Sequence, residues 1–389
     1  TLYNWDTNAP EALNYLFKKI DFTVRKARSE ASKMPREERQ KHIDAAQEET
    51  RKMMAEAILK NIDNPRQDGV ETLITELAQR FASNVKFHRA LKEGELPPPR
   101  DPNEYTAEKA IDDMLALLNL KDESKASLIA RARGNYAKTL IYDALATPRS
   151  TDYKRYCDER DRINRLIANS FEPNELSPAI LSMVGTFLLD TGNEKRAEEY
   201  FRYVLDFYKG SETAEFAFAG QGKILLNRKD YKGAFEIFNE GVDGNIAYML
   251  EPDLRLGRAQ ALIEMSDEDA SSLNIADRLE KAAEELNYIK GIKEWRGRPT
   301  AAALYYLGQI KEKNRQFEAA VGDYRICYLT WKKYPEFAAK AMLRTGIILR
   351  DRLGQPEEAK TLFLQMTDAS GRFRNTPEAK EAAKMLQTL

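Results

Sequence analysis

Residues 304–335 read LYYLGQIKEKNRQFEAAVGDYRICYLTWKKYP. Leu304, Leu307 and Ile310 recur at helical spacing around a central Gly308, and Asn314-Arg315-Gln316 then breaks the run. A second helical run opens on Phe317, carries Ala320, Tyr324 and Cys327 on one face, and stops before Pro335. The reading is two helices joined by a short polar turn. Glycine inside a helix costs about 1 kcal/mol relative to alanine, so Gly308 needs a reason, and the close approach of a neighbouring helix supplies one.

The same arrangement recurs outward from this stretch. Mid-helix glycines stand at Gly185, Gly222, Gly257, Gly308 and Gly346, at spacings of 37, 35, 51 and 38. Each is followed by an alanine and, four residues later, a bulky apolar residue: Ala197 and Phe201, Ala234 and Phe238, Ala282 and Leu286, Ala320 and Tyr324, Ala359 and Phe363. The long spacing implies a polar insertion in the third unit, around Ser266 to Asn274. Gly134 marks a degenerate sixth unit upstream. Thr376-Pro377-Glu378 opens a last helix, with Thr376 as N-cap, whose face of Ala379, Ala382, Ala383 and Leu386 can cover the end of a stack.

The order Leu304, Leu307-Gly308, Phe317, Ala320, Tyr324, Cys327, Pro335 resembles the signature of the tetratricopeptide repeat family. The resemblance covers 177–366, and it departs from the family at Leu188 and Leu225, where a tyrosine is common. It implies an all-α fold, a right-handed α-α superhelix, preceded here by an N-terminal helical region. It also implies a groove lined by the first helix of each hairpin. Carried over residue by residue, the groove positions include Lys223, Asn227, Leu254, Arg258, Tyr305, Gln309, Lys313 and Arg350. These place donors and two apolar side chains along one face, which suits a protein or peptide partner, acidic in the favoured case. The final helix also resembles the tail of bacterial envelope members of the family, and this favours a periplasmic or cell-envelope location over the cytoplasm.

The N-terminal third reads as long helices: one from Pro10 through Leu13, Leu16, Phe17, Ile20 and Val24, a second from Pro35 to Ile62, and a third over 69–92. Leu96-Pro97-Pro98-Pro99-Arg100-Asp101-Pro102 cannot be helix and reads as a linker. Shorter helices follow over 110–118, 124–146 and 153–167. The organisation is therefore 1–95 long helices, 96–104 linker, 105–176 a helical region, 177–375 five repeats and 376–389 a cap.

Composition excludes several classes. Lys and Arg total 61 against 62 Asp and Glu, and the balance holds on both sides of residue 176, with 30 basic and 30 acidic residues before it and 31 and 32 after. A dedicated nucleic-acid binder carries a one-sided basic field, so no nucleic-acid partner is expected. No apolar run reaches membrane-spanning length, and a membrane role would require an N-terminal segment preceding Thr1. Cys157, Cys327, His42 and His88 stand at no metal-ligand spacing, so no metal or cofactor is expected. Cys327 falls at a small buried place of the repeat, and both histidines read as solvated surface. Adjacent carboxylates such as Glu198-Glu199 point in different directions on a helix, and no phosphate loop or nucleophile elbow occurs. The expectation is a non-enzymatic scaffold; a periplasmic or anchored assembly factor and a nucleic-acid-binding repeat are the alternatives.

Overall fold

The computed structural model describes residues 10–64, 69–92, 94–97, 99–244, 249–368 and 371–388. Among them every regular element is a helix, apart from a single antiparallel bridge between Arg89 and Ser150. The chain divides into two compact units, 1–213 and 214–389.

In the first unit α1 (Pro10–Ala31) and α2 (Arg36–Asn61) pair, and α3 (Val70–Ala82), α4 (Ala107–Leu117) and α5 (Leu128–Leu145) pack together beside them. The third helix was expected to run to 92 but stops at Ala82. The following segment is extended, because Ala90 N–H donates to Arg149 O at 2.6 Å and Thr151 N–H to His88 O at 2.9 Å. The proline-rich stretch is tied back at its middle, where Arg100 holds both carboxylate oxygens of Asp152 at 2.9 Å. Arg133 of α5 is fully buried and closes the end of α2, donating to Asn61 O at 2.9 Å, Ile62 O at 2.8 Å and Glu71 Oε1 at 2.7 Å. The last carbonyls of a helix have no partner within it, and one guanidinium satisfies two of them here. The helices α5 and α6 (Tyr153–Ser170) form a hairpin, as do α7 (Pro178–Asp190) and α8 (Glu194–Phe207).

The second unit continues the hairpins: α9 (Ala214–Asn227) with α10 (Tyr231–Asp243), α11 (Glu251–Glu264) with α13 (Arg278–Gly291), α14 (Arg298–Lys313) with α15 (Phe317–Thr330), and α16 (Pro335–Asp351) with α17 (Pro356–Thr367). The insertion of the third hairpin forms a short helix, α12 (Asp267–Ser272), capped by Ser266. The terminal helix α18 (Pro377–Leu386) packs on α16 and α17, with Thr376 as its cap. Successive first helices, α9, α11, α14 and α16, pack directly on one another.

The glycines hold this arrangement through side chains rather than through bare backbone approach. A β-carbon on Gly185 would lie 2.7 Å from the Phe201 ring. Gly222 and Gly257 face opposite sides of the one Phe238 ring; Gly308 faces Tyr324 and Gly346 faces Phe363, all closer than a methyl group could stand. The bulky residue four after the alanine is thus a knob, and the glycine is its hole. Gly134 differs: its nearest neighbour, Leu120, is an ordinary 3.5 Å away. The upstream hairpin therefore lacks the ring-in-glycine device.

The turns within hairpins share a second constraint that residue type had not revealed. Their middle residues, Gly192, Lys229, Arg315 and Gly354, all have positive φ, at 85°, 63°, 59° and 65°. Asn193, Asp230 and Gln316 then donate back to Leu188, Leu225 and Lys311 at 2.8–2.9 Å. This is the helix stop that favours glycine, and two of the four turns use long side chains instead.

Two thermal-melting predictions follow from these geometries. Gly222→Ala should destabilise by about 2–3 kcal/mol by displacing a packed ring, whereas Gly134→Ala should be neutral or stabilise by up to about 1 kcal/mol; equal effects would remove the distinction. Arg315→Gly should stabilise by about 0.5–1 kcal/mol, because an L side chain is strained at positive φ.

Candidate functional site

The row of first helices in the second unit is the candidate site. Lys223 and Asn227 are exposed on α9. Lys313 is exposed at the end of α14 but reaches Glu264 of α11 at 3.7 Å. Gln309 is half-buried and donates to Tyr305 Oη at 3.1 Å, while Arg350 is held by the neighbouring Asp351 at 2.6 Å.

Three expected groove residues are corrected. Leu254 is fully buried. It packs toward α10, close to where Gly241 would carry a β-carbon, and is core rather than contact surface. Tyr305 is only 8% exposed. Its ring lies among Tyr306, Tyr324 and Phe337, with centroids 5.4, 5.8 and 6.3 Å away, and burial pushes its phenol up to about 12. Arg258 points between the second helices, donating to Asn239 of α10 at 3.0 Å, to Asp243 at 3.0 Å, and to Glu285 of α13. The position three before the glycine is buried in other units too, at Ser182, Tyr305 and Leu343, so it belongs to the packing between helices rather than to the row.

The polar side chains that do join the first helices are different ones. Arg298 binds Asp253 of α11 at 3.0 Å and Glu336 of α16 at 3.3 Å, linking three hairpins at one end. Tyr306 Oη donates to Gln260 Oε1 at 2.8 Å, and Arg344 of α16 pairs with Glu312 of α14, which also accepts from Tyr324 Oη at 3.1 Å. Residues 253, 260 and 264 follow i, i+7, i+11 on α11, a polar stripe that helical spacing alone could have exposed. Arg298, Lys313, Arg344 and Arg350 of this row are each paired with a carboxylate.

Glu285 sits at a denser junction. Its carboxylate, 10% exposed, accepts from Arg255 at 2.5 Å and from Arg258, while Arg255 also lies 4.6 Å over the Tyr288 ring. This cluster fastens α11 to α13 across the insertion.

Cys327 and the two histidines each lie against neighbouring groups. Cys327 is buried, its Sγ 3.3 Å from Ala301 O, and burial pushes its thiol up to about 12, leaving no nucleophilic thiolate at neutral pH. His88 is not solvated surface as expected: its side chain is 14% exposed and its Nε2 is 2.5 Å from the Glu104 carboxylate. His42 pairs with Glu30 at 3.1 Å. Among the described residues no cluster of metal-ligating side chains occurs, and no helix is long and apolar enough to cross a membrane.

No family model matches the chain, and no curated protein matches it. Among solved structures, the apo form of RapI is similar over 94% of this chain and 96% of that one, with 11% identity and a TM-score of 0.47. The pairing of helices and the repeated ring-in-glycine contact make this chain an all-helical repeat protein.

Glu285→Gln should lower stability in urea titration by about 1–2 kcal/mol, because two partly buried guanidinium groups lose their shared carboxylate. Arg298→Ala, at a half-exposed site with two exposed partners, should cost less than about 1 kcal/mol. The reverse order would contradict the assignment of Glu285 as the fastening group.

Proposed function

We propose that this protein is a non-enzymatic interaction scaffold of the tetratricopeptide repeat type, and that the row of first helices in the second unit receives a segment of a partner protein. The observation that carries the reading is the continuity of that row. Four first helices pack side by side, and Lys223, Asn227, Gln309 and Lys313 lie on them with part or all of their side chains accessible. Helices on a repeat scaffold hold such polar groups at fixed separations, so a partner is bound without ordering the receptor. The absence of large exposed apolar residues on these four helices, among the described residues, favours recognition by hydrogen bonds over an apolar anchor.

The test is affinity capture with quantitative mass spectrometry. A Lys223→Glu, Asn227→Ala, Gln309→Ala and Lys313→Glu variant should lose specific partners while keeping the melting temperature of the wild type. Identical partner lists for the two proteins would sink the proposal.

A further inference from the structure

Antiparallel hairpins stacked side by side place all connections between one hairpin and the next along one edge. In the second unit this edge carries the turns 291–297 and 331–334 and the segment 371–376. The first two touch: a β-carbon on Gly297, whose φ is 142°, would lie 2.8 Å from Tyr334 Oη. Arg298, bound to both Asp253 and Glu336, aligns the starts of three first helices along the same edge.

Cations gather there. Lys290, Lys293, Arg296, Lys332, Lys333 and Arg372 are all exposed. Among the described residues none of the six forms an ion pair within 4 Å; Lys333 stands instead 4.9 Å over the Tyr334 ring. Cations in the last turn of a helix complement its dipole, which would be a purely local explanation. That explanation covers Lys290 alone, since α15 and α17 have no basic residue in their last turns and the other five lie beyond the ends of the α-helices. The carboxylates that could neutralise them are few. Asp253 and Glu336 are taken by Arg298, which leaves Glu294 among the residues of these turns. The opposite edge mixes both signs, with Asp267, Glu268, Glu318, Glu357 and Glu358 exposed at the starts of α12, α15 and α17 and Lys229, Arg315 and Arg352 exposed in its turns. In a chain with a net charge of −1, the turns between hairpins thus hold a local excess of cations.

From this local excess of cations we infer a second docking surface, distinct from the first-helix row: the turn edge of the second unit binds an extended acidic segment of a partner protein. Neighbouring packed helices stand about 8–10 Å apart, and an extended chain advances about 3.3 Å per residue, so a carboxylate at every third residue meets successive turns. The aromatic side chains of this edge favour a polypeptide over a single-stranded nucleic acid. Trp295 is packed edge-on against Tyr288 at 5.8 Å and Trp331 lies 6.3 Å from Tyr334, so these rings are engaged with one another. Base stacking needs free ring faces.

The experiment uses the full chain and a fluorescent peptide of about 15 residues with glutamate at every third position, read by anisotropy at about 50 mM and about 300 mM salt. The peptide should bind, and bind more weakly at the higher salt. The Lys293→Glu, Lys332→Glu, Lys333→Glu variant should lose affinity by about tenfold or more at low salt. A Lys223→Glu, Lys313→Glu variant of the first-helix row should bind like the wild type, which separates this surface from the one proposed above. Unchanged circular-dichroism melting of both variants establishes that they fold. The inference is overturned by an unaffected triple variant, by equal binding of the glutamine version of the peptide, or by a single-stranded oligonucleotide of equal charge binding more tightly than the peptide.

Discussion

An aromatic ring seated against a helical glycine is the contact on which the repeat region depends. Phe201, Phe238, Tyr324 and Phe363 each enter a hole that exists only because Gly185, Gly222, Gly308 and Gly346 carry no β-carbon. The glycine weakens its own helix by about 1 kcal/mol, and burial of a whole ring exceeds that loss. Phe238 makes the device a link between hairpins as well as within one, since Gly222 and Gly257 close on the same ring from two sides. The hairpin around Gly134 lacks such a ring and is held instead by aliphatic contacts and by the buried guanidinium of Arg133.

Charge is arranged in two regimes. On the row of first helices, cations and carboxylates neutralise one another, as with Lys313 and Glu264, Arg344 and Glu312, and Arg298 with two acids. At the turns between hairpins, Lys293, Arg296, Lys332, Lys333 and Arg372 are exposed beside a single acid of these turns, Glu294. Such a local excess gives a nearly neutral molecule a local field that can orient a charged ligand. Aggregate composition averages the two regimes away.

Much of the fold was legible in sequence because its signals are local. Gly308, the turn at Asn314-Arg315-Gln316 and Tyr324 fall within a single hairpin, so spacing along the chain reports their proximity. The polar insertion near Ser266 was equally readable, and it forms α12. The candidate site was less legible. Lys223, Asn227 and Lys313 lie exposed on first helices, but Leu254 packs against α10 and Arg258 is held by Asn239, Asp243 and Glu285 of the second helices. The early stop of α3 at Ala82 has a similar origin, in backbone pairing with residues some sixty positions away.

That the rings seat against the glycines came from the tertiary structure. The sequence by itself determined that the chain is helical and where the helices of its repeats pair. These follow from periodicity and from steric limits that act over a few turns of helix. Tertiary structure alone decided which polar residues stand exposed on the first helices and which are held inside. The direction of Arg258, the seclusion of Tyr305 and the gathering of six cations at one edge depend on how successive hairpins rotate and align, and that alignment rests on contacts between residues far apart in the chain.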